Sequence, residues 1–246
     1  MYIFYPLIFV FSLMQNPTTT PPLESNQDEW TLLFNGTDFE GWHRFNRSEM
    51  SPAWTVEDGA MKFNPTEARN YGDGGHNIVT DAEFTNFELS IEWKISKKGN
   101  SGIFWGVQEG EAYGEPYLTG PEIQVLDNER HPDAFNNPKY HQAGALYDIV
   151  QPSQDVCKPA EEWNHFLIHI DHNKNEGFVK LNGTEIVRFP VNGQAWEDLI
   201  ADCKFRDRSN PSYTEAPDFG TFKTGKISLQ DHGDVVYYRN IKIREL

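Results

Sequence analysis

The stretch Gly120-Pro-Glu-Ile-Gln-Val-Leu-Asp-Asn128 has the alternation of a β-strand with two different faces. Ile123 and Val125 alternate with Glu122 and Gln124, and successive side chains of a strand point to opposite sides of a sheet. The face that carries the β-branched residues Ile123 and Val125 is therefore expected to be buried. The other face presents a carboxylate and an amide, and it is where we expect any chemistry to take place.

Asp127 ends this stretch, and strict alternation places it on the apolar side. One bulged residue before it would turn its carboxylate round beside Glu122, so that two acids and an amide would share a face. The alternative is a sheet edge with a polar outer face that ends in a turn. The pattern alone leaves both interpretations open.

Length and composition predict one domain with a sizeable core. The chain has 246 residues, of which 38% are hydrophobic and 14% aromatic, and all-β sandwiches of this length commonly form a single domain. Its net charge of −16 repels nucleic-acid phosphates and anionic lipid. A nucleic-acid partner is therefore not expected.

Short strands separated by turn signals fill most of the chain. Residues 87–95 alternate without a break, which indicates an antiparallel strand buried on one side. Asp58-Gly59 and Asn182-Gly183 are two-residue hairpin signals. We expect strands at 30–34, 54–56, 61–63, 87–95, 101–107, 122–126, 145–150, 163–170, 178–181, 185–189, 226–230 and 235–243.

Only residues 195–205 have the periodicity of a helix, with apolar residues at spacings of three and four. Many strands and one short helix predict an all-β fold, a two-sheet antiparallel β-sandwich of jelly-roll type. No internal repeat and no second domain is expected.

The first residues predict export. Residues 1–14 are almost wholly apolar and carry no charge, too short a stretch to span a bilayer but long enough for the core of a secretory signal. We therefore divide the chain into a signal peptide (1–20), a Pro/Thr/Asn-rich linker (21–29) and a folded domain (30–246). The mature protein is expected in the periplasm or secreted, without a membrane span. A buried first strand is the alternative.

The two cysteines, Cys157 and Cys203, would meet an oxidising compartment after export. They form a disulfide if the fold brings them together, and otherwise they are two buried free thiols. Neither has a Cys or His at the spacing of a zinc site.

A polar cluster follows the strand expected at 226–230. Gln230 and His232 should lie on the face opposite the core, next to the tight turn at Gly233, with Asp231 between them. Such a cluster is either a site or a hydrogen-bonded hairpin corner. Arg239 in the last strand could bind an anion or a carbonyl, or it could pair with an acid on the sheet face.

Aromatic and histidine side chains supply further candidates. Ser101 and Trp105 share one face of a strand, and Tyr147 lies near a loop, where aromatic faces commonly stack on sugars. His131 and His141 flank a polar loop and could be ligands, proton shuttles or surface residues.

Motifs for several chemistries are missing from the sequence. It has no glycine-rich nucleotide loop with Lys, no His-Glu-x-x-His and no glycine-flanked nucleophilic serine. No nucleotide cofactor is expected. Carboxylates, histidine and arginine remain, and these suit proton transfer and glycoside cleavage.

The chain resembles the 3-keto-disaccharide hydrolase family from about Trp30 to Leu246. The motifs that carry the resemblance are Trp30-x-x-Leu-Phe-Asn-Gly-x-x-x-x-Gly-Trp42, Asn100-Ser-Gly-Ile103, Gly120-Pro-Glu-Ile-Gln-Val-Leu-Asp-Asn128, Gly144-Ala-Leu-Tyr-Asp148, Glu162-Trp-Asn164, Leu181-Asn-Gly183, Gly225-x-Ile-x-Leu-Gln-Asp-His-Gly233 and Arg239-Asn-Ile-Lys-Ile243. Their number and order make the resemblance specific.

The resemblance implies a concanavalin-like jelly roll, bacterial export, and action on glycosides that a separate dehydrogenase has oxidised at C3. The residues carried over from the family's motifs are Glu122, Gln124, Asp127, Gln230, Asp231, His232 and Arg239. One departure is Gly106, where members often have Arg, so a basic contact to substrate would be missing.

A ketone at C3 acidifies the C2 hydrogen, so the resemblance implies elimination followed by hydration. His232 or Asp231 could be the base, Arg239 and Gln230 could hold the enediolate, and Glu122 or Asp127 could protonate the leaving group. Substrate contacts are expected from Ser101, Trp105, Gln124 and Tyr147.

Three other interpretations stay open. A divalent cation held by Glu122, Asp127 and His131 could act as the Lewis acid. The spacing of Glu122, Gln124 and Asp127 also resembles the Glu-x-Asp-x-x-Glu strand of laminarinase-like β-glucanases, with an amide in the middle and a shorter last acid. A non-catalytic sugar-binding module is the third.

Overall fold

The computed structural model describes residues 1–2, 29–72, 74–135 and 139–246. The signal peptide and linker predicted for residues 1–29 lie outside the described residues except at Met1, Tyr2 and Glu29. The strands are Thr31–Leu32 (β1), Trp42–Arg44 (β2), Trp54–Glu57 (β3), Ala60–Phe63 (β4), Ile78–Thr80 (β5), Phe87–Ile95 (β6), Asn100–Val107 (β7), Glu122–Leu126 (β8), Asn164–Asp171 (β9), Glu176–Leu181 (β10), Thr184–Phe189 (β11), Lys226–Leu229 (β12) and Val236–Glu245 (β13).

These strands form two antiparallel sheets. The larger has eight strands in the order β11-β10-β9-β6-β13-β4-β3, with β1 paired to the far end of β13. The smaller has five strands in the order β2-β5-β12-β7-β8. This architecture confirms the predicted all-β fold class and its two-sheet sandwich.

The core lies between the sheets because each strand turns its apolar face inward. Trp93, Phe166 and Tyr238 of the large sheet are fully buried, as are Ile103 and Ile123 of the small sheet. Burial of this much apolar surface is the main favourable term in folding. The outer face of the small sheet carries polar side chains beside a second, smaller apolar cluster of Phe45, Val79, Phe104 and Val107.

The described residues contain two α-helices, where the sequence predicted one. α1 (Pro65–Tyr71) begins where the Asn64 side chain accepts the Thr66 N–H, and it ends at Gly72 in the left-handed conformation. α2 (Gly193–Ile200) is shorter than the predicted 195–205, because the chain leaves the helix after Ile200 and continues in turns.

The strand predicted at 145–150 does not form, and two short strands were not predicted. Residues 145–150 form only isolated bridges through Leu146, and β2 and β5 are strands that the sequence pattern did not reveal. Both are three residues long, too short for an alternation to be detected.

Cys157 and Cys203 are free thiols, so the two cysteines form no disulfide. Within the described ranges we find no helix of the length and apolarity that a bilayer crossing requires.

Candidate active site

A cavity of about 350 Å³ opens on the outer face of the small sheet. Strands β7 and β8 provide its floor, and the loops on either side provide its walls. The residues that line it are Asn77, Asn100, Phe104, Glu115, Pro116, Tyr117, Glu122, Gln124, Tyr147, Lys204, Phe205, Thr214, Gln230, Asp231 and His232.

Glu122 reaches the floor because its neighbour on β7 has no side chain. β8 pairs with β7 so that Glu122 lies opposite Phe104 and Gln124 lies opposite Gly102. A Cβ atom at Gly102 would stand 2.6 Å from Cδ of Glu122 and 2.8 Å from its Cγ. The Glu122 side chain therefore lies across the glycine.

Burial changes the acidity of Glu122. Its side chain is 7% exposed, and loss of water raises its pKa to about 8, although the charges of Lys204 and His141 oppose this shift. Within the described part of the chain, no donor makes a hydrogen bond to its carboxyl group. Glu122 is thus mostly protonated at neutral pH and can give a proton to a bound molecule.

Two buried amide oxygens accompany this acid. The Gln124 Nε2 group donates to Asn100 Oδ1 at 3.1 Å, which fixes the orientation of the amide. Oε1 of Gln124 and Oε1 of Gln230 are both buried without a hydrogen-bond partner. Such atoms carry a free-energy penalty unless a ligand or water donates to them.

Asp231 and Asn77 are held in place at one end of the cavity. The Asp231 carboxylate accepts the backbone N–H groups of His76 (3.1 Å) and Gly233 (2.9 Å). Asn77 accepts the Asp231 N–H at 2.9 Å and donates through Nδ2 to Glu115 at 3.0 Å. Burial and the charge of Asp231 raise the pKa of Glu115, against the effect of the Asn77 hydrogen bond.

A network of ring stacking and ion pairs builds the opposite wall. Lys204 Nζ donates to the Tyr147 hydroxyl at 3.0 Å, and the Lys204 backbone N–H donates to Asp148 at 2.7 Å. The His141 ring stacks on Tyr147 at 4.4 Å and contacts Asp133 (3.0 Å) and Asp148 (3.2 Å). Burial disfavours charge on His141, but the two aspartates outweigh it and raise its pKa to about 9.

Comparison with known proteins identifies the family of this chain. The model of the 3-keto-alpha-glucoside-1,2-lyase-like domain matches residues 29–244. A 3-keto-disaccharide hydrolase of Bacteroides thetaiotaomicron is 36% identical over 238 residues, which cover 91% of this chain and 81% of that protein. The chain belongs to the 3-keto-disaccharide hydrolase family.

Solved structures agree with this membership. A candidate glycosyl hydrolase from Parabacteroides distasonis shares 32% identity at a TM-score of 0.76, over 88% of this chain and 94% of the other. A second protein of that organism, at 24% identity, has a TM-score of 0.67 over 89% and 100% of the two chains, which shows the same fold.

In this member of the 3-keto-disaccharide hydrolase family, Asp127 does not join Glu122. The pairing of β7 with β8 runs without a register shift, so the bulge that would have turned Asp127 into the cavity is absent. Its carboxylate accepts the backbone N–H groups of Lys98 (2.8 Å) and Glu129 (3.2 Å). Asp127 therefore holds turns together outside the cavity.

Arg239 lies on the other sheet, away from the cavity. It makes an ion pair with Glu92 at 2.8 Å, and its guanidinium covers the Trp163 ring at 3.9 Å. The sequence leaves pairing with an acid on the sheet face as one alternative for this arginine, and the structure shows that pairing.

Ser101 and Trp105 point into the sandwich. The Ser101 hydroxyl contacts the Gln230 carbonyl (2.7 Å) and the Tyr238 hydroxyl (2.8 Å), while Trp105 stacks on Phe189 with ring centres 5.9 Å apart. Both belong to the inner face of β7, which they share with Ile103. They line no part of the cavity.

Glu122, Asp127 and His131, the residues considered for a divalent cation, do not converge. His131 accepts the Asp133 backbone N–H through Nδ1 at 3.1 Å, in the loop after β8. Among the residues that the structure describes, no three His, Cys, Asp or Glu side chains are grouped as metal ligands.

Six predicted residues do line the cavity: Glu122, Gln124, Tyr147, Gln230, Asp231 and His232. Sequence reasoning missed Asn77, Asn100, Glu115 and Lys204. These four stand at strand ends or in loops, where no periodicity marks them.

Gly106 is at a positive φ of 68° beside the register shift between β7 and β12, and it does not line the cavity.

Proposed function

We propose that this chain is a carbohydrate hydrolase that cleaves the glycosidic bond of 3-keto glycosides, including 3-keto-disaccharides. The observation that carries the proposal is Glu122, a buried acid with a pKa near 8 that faces a polar cavity. The family of this chain and the Bacteroides relative, a 3-keto-disaccharide hydrolase, support the same substrate class.

The chemistry we propose is elimination followed by hydration. A base removes the proton from C2, and the electron pair of the C2–H bond forms a C2=C3 bond while the ketone becomes an enediolate. The ketone then re-forms, a C1=C2 bond appears, and the C1–O bond breaks as the leaving oxygen takes a proton. Water finally adds across C1=C2, with hydroxyl at C1 and hydrogen at C2. The net reaction is hydrolysis.

His232 and Glu122 suit the two proton transfers. Both oxygens of Asp231 already accept backbone N–H groups, whereas the His232 ring lies exposed at the rim and makes no hydrogen bond to the described residues. We therefore assign the base to His232 and the acid for the leaving oxygen to Glu122. Asp231 fixes the turn that carries His232.

The geometry disfavours the β-glucanase alternative. A retaining mechanism requires two carboxyl groups about 5 Å apart on either side of the scissile bond. On β8 the middle position is Gln124, and Asp127 turns away to accept N–H groups of neighbouring loops. A non-catalytic sugar-binding module would have no use for an acid whose pKa has been raised so far.

The substrate implies a preceding oxidation. A glycoside acquires a ketone at C3 only when its C3 hydroxyl loses two electrons and two protons, and no nucleotide-binding motif appears in this sequence. We propose that a separate sugar 3-dehydrogenase supplies the substrate.

One experiment tests the proposal directly. Purified protein is incubated with a 3-keto-glucoside and, separately, with its unoxidised parent, in ordinary and in heavy water. We expect cleavage of the 3-keto compound only, with solvent deuterium at C2 of the released 3-keto sugar above a control without enzyme. Cleavage of the parent alone would establish the glucanase alternative, and cleavage of neither would leave a binding module.

A further inference from the structure

The cavity lining contains several hydrogen-bond acceptors. Glu115 and Asp231 contribute carboxyl groups, and Gln124 and Gln230 contribute amide oxygens without partners. Acceptors can bind the hydroxyl groups of a sugar, but they cannot bind a ketone, which has no proton to give. Within the described lining, Lys204 is the only Lys or Arg.

The Tyr147 hydroxyl becomes a donor through its contact with Lys204. Lys204 Nζ donates to this oxygen at 3.0 Å, so the tyrosine acts as the acceptor of that bond and its own proton points elsewhere. No acceptor for that proton occurs among the described residues. Burial and the nearby carboxylates raise the pKa of Tyr147, which keeps the proton in place.

Both donors are held rigidly before any substrate arrives. The Tyr147 ring is stacked on His141, with the ring planes 16° apart. Lys204 is fixed through its backbone N–H to Asp148 and through its ammonium, which lies 5.1 Å from the centre of the Phe205 ring. Preorganised donors of this kind stabilise developing negative charge most strongly.

We propose that the Tyr147 hydroxyl and the Lys204 ammonium together bind the C3 ketone oxygen and hold the charge that it acquires as an enediolate. This inference rests on the proposed function. It identifies the side chains that would recognise the ketone by donating hydrogen bonds to it. When the C2 proton leaves, the C2–H electron pair becomes the C2=C3 bond and the C3=O pair moves onto this oxygen. A C3 hydroxyl group offers no such charge, so the unoxidised glycoside gains nothing from the pair.

The test compares two variants with two controls. Tyr147→Phe keeps the ring that stacks on His141, and Lys204→Met keeps most of the side-chain length while removing the charge. Tyr113→Phe is the matched control, since the Tyr113 hydroxyl donates to Asp218 at 2.9 Å outside the cavity lining. Lys204→Arg restores a cation. Thermal melting confirms that each variant is folded.

The measurements are the rate of C2 deuterium exchange in a 3-keto-glucoside and the rate of its cleavage. We expect Tyr147→Phe and Lys204→Met to lower both rates together by about 100-fold. Tyr113→Phe should retain wild-type rates and Lys204→Arg should recover part of the loss. Glu122→Gln should instead lose cleavage and retain exchange, because it acts only on the leaving oxygen.

The outcomes separate this inference from the proposed function. If the wild-type protein cleaves no 3-keto-glucoside, the proposed function fails and the inference falls with it. If the wild-type protein is active but both variants exchange C2 within about threefold of its rate, the inference alone is overturned. Loss of cleavage with full exchange would also overturn it, since the pair would then act at the leaving group.

Discussion

Burial of one side chain decides the acidity of the site. Glu122 stands on the floor of the cavity with no hydrogen-bond donor from the described residues, and the loss of water raises its pKa from 4.5 to about 8. An exposed glutamate would be ionised at neutral pH and could not protonate a leaving oxygen. In the proposed mechanism, loss of the Glu122 proton is expected to limit cleavage at high pH.

The Glu122→Gln variant is expected to cleave a 3-keto-glucoside about 100-fold more slowly, because the amide has no acidic proton. In the wild-type enzyme, the turnover number should fall as pH rises through about 8, where Glu122 loses its proton. Steady-state rates between pH 5 and 10 measure both effects. An unchanged turnover number in the variant would place Glu122 outside the chemistry.

Glu122→Gln is expected to lower activity but to raise stability at high pH. Folded Glu122 holds its proton more tightly than the unfolded chain does, so the wild-type protein loses stability as pH rises from 4.5 toward 8. The variant has no such loss. Its melting temperature should match that of the wild type near pH 4 and exceed it above pH 8. An equal difference at both pH values would argue against the raised pKa.

Two paired strands create the space in which this acid lies. β7 brings Gly102 alongside β8 at the point where the Glu122 side chain crosses it, and a larger residue would stand within 2.6 Å of Cδ. A glycine inside a strand usually weakens it, and it often marks a close approach by another group. Here the close approach is that of the acid itself.

Gly102→Ala is therefore expected to displace Glu122 while both sheets still form. Cleavage should fall by about 100-fold, and the loss of turnover near pH 8 should shift, because the carboxyl group leaves its buried position. Gly114→Ala is the control, since its Cβ would meet nothing within 4 Å. A Gly102→Ala enzyme with the wild-type rate and pH profile would show that an alanine at this position does not displace the Glu122 carboxyl group.

Strand patterns could be predicted from the sequence because they depend on nearest neighbours. The alternation in β6 and β8 gives their boundaries directly, and Glu122 and Gln124 follow from it. Glu115 and Lys204 could not be predicted, because loops remote in the chain bring them to the cavity. Arg239 shows the converse: its strand was predicted, but its sheet and its outward direction depend on the pairing of β13 with β6.

At the scale of the whole chain, we propose export on the evidence of the uncharged, apolar residues 1–14. Mass spectrometry of the protein from its native cell envelope should find a mature chain that begins between Leu13 and Ser25. Free thiols at Cys157 and Cys203 mean that the fold does not depend on oxidation in that compartment. An intact Met1 in a cytoplasmic fraction would contradict the proposal.

The position of β13 has a consequence for how the molecule is made. This strand lies between β6 and β4 and also pairs with β1, yet it comes after all of them in the chain. Until β13 has been synthesised, the edges of those earlier strands lack their final partner, and unpaired edges can pair with other chains. Closing the sheet joins segments that are remote in sequence, so slow folding is expected. The large sheet can therefore be completed only after β13 has been synthesised.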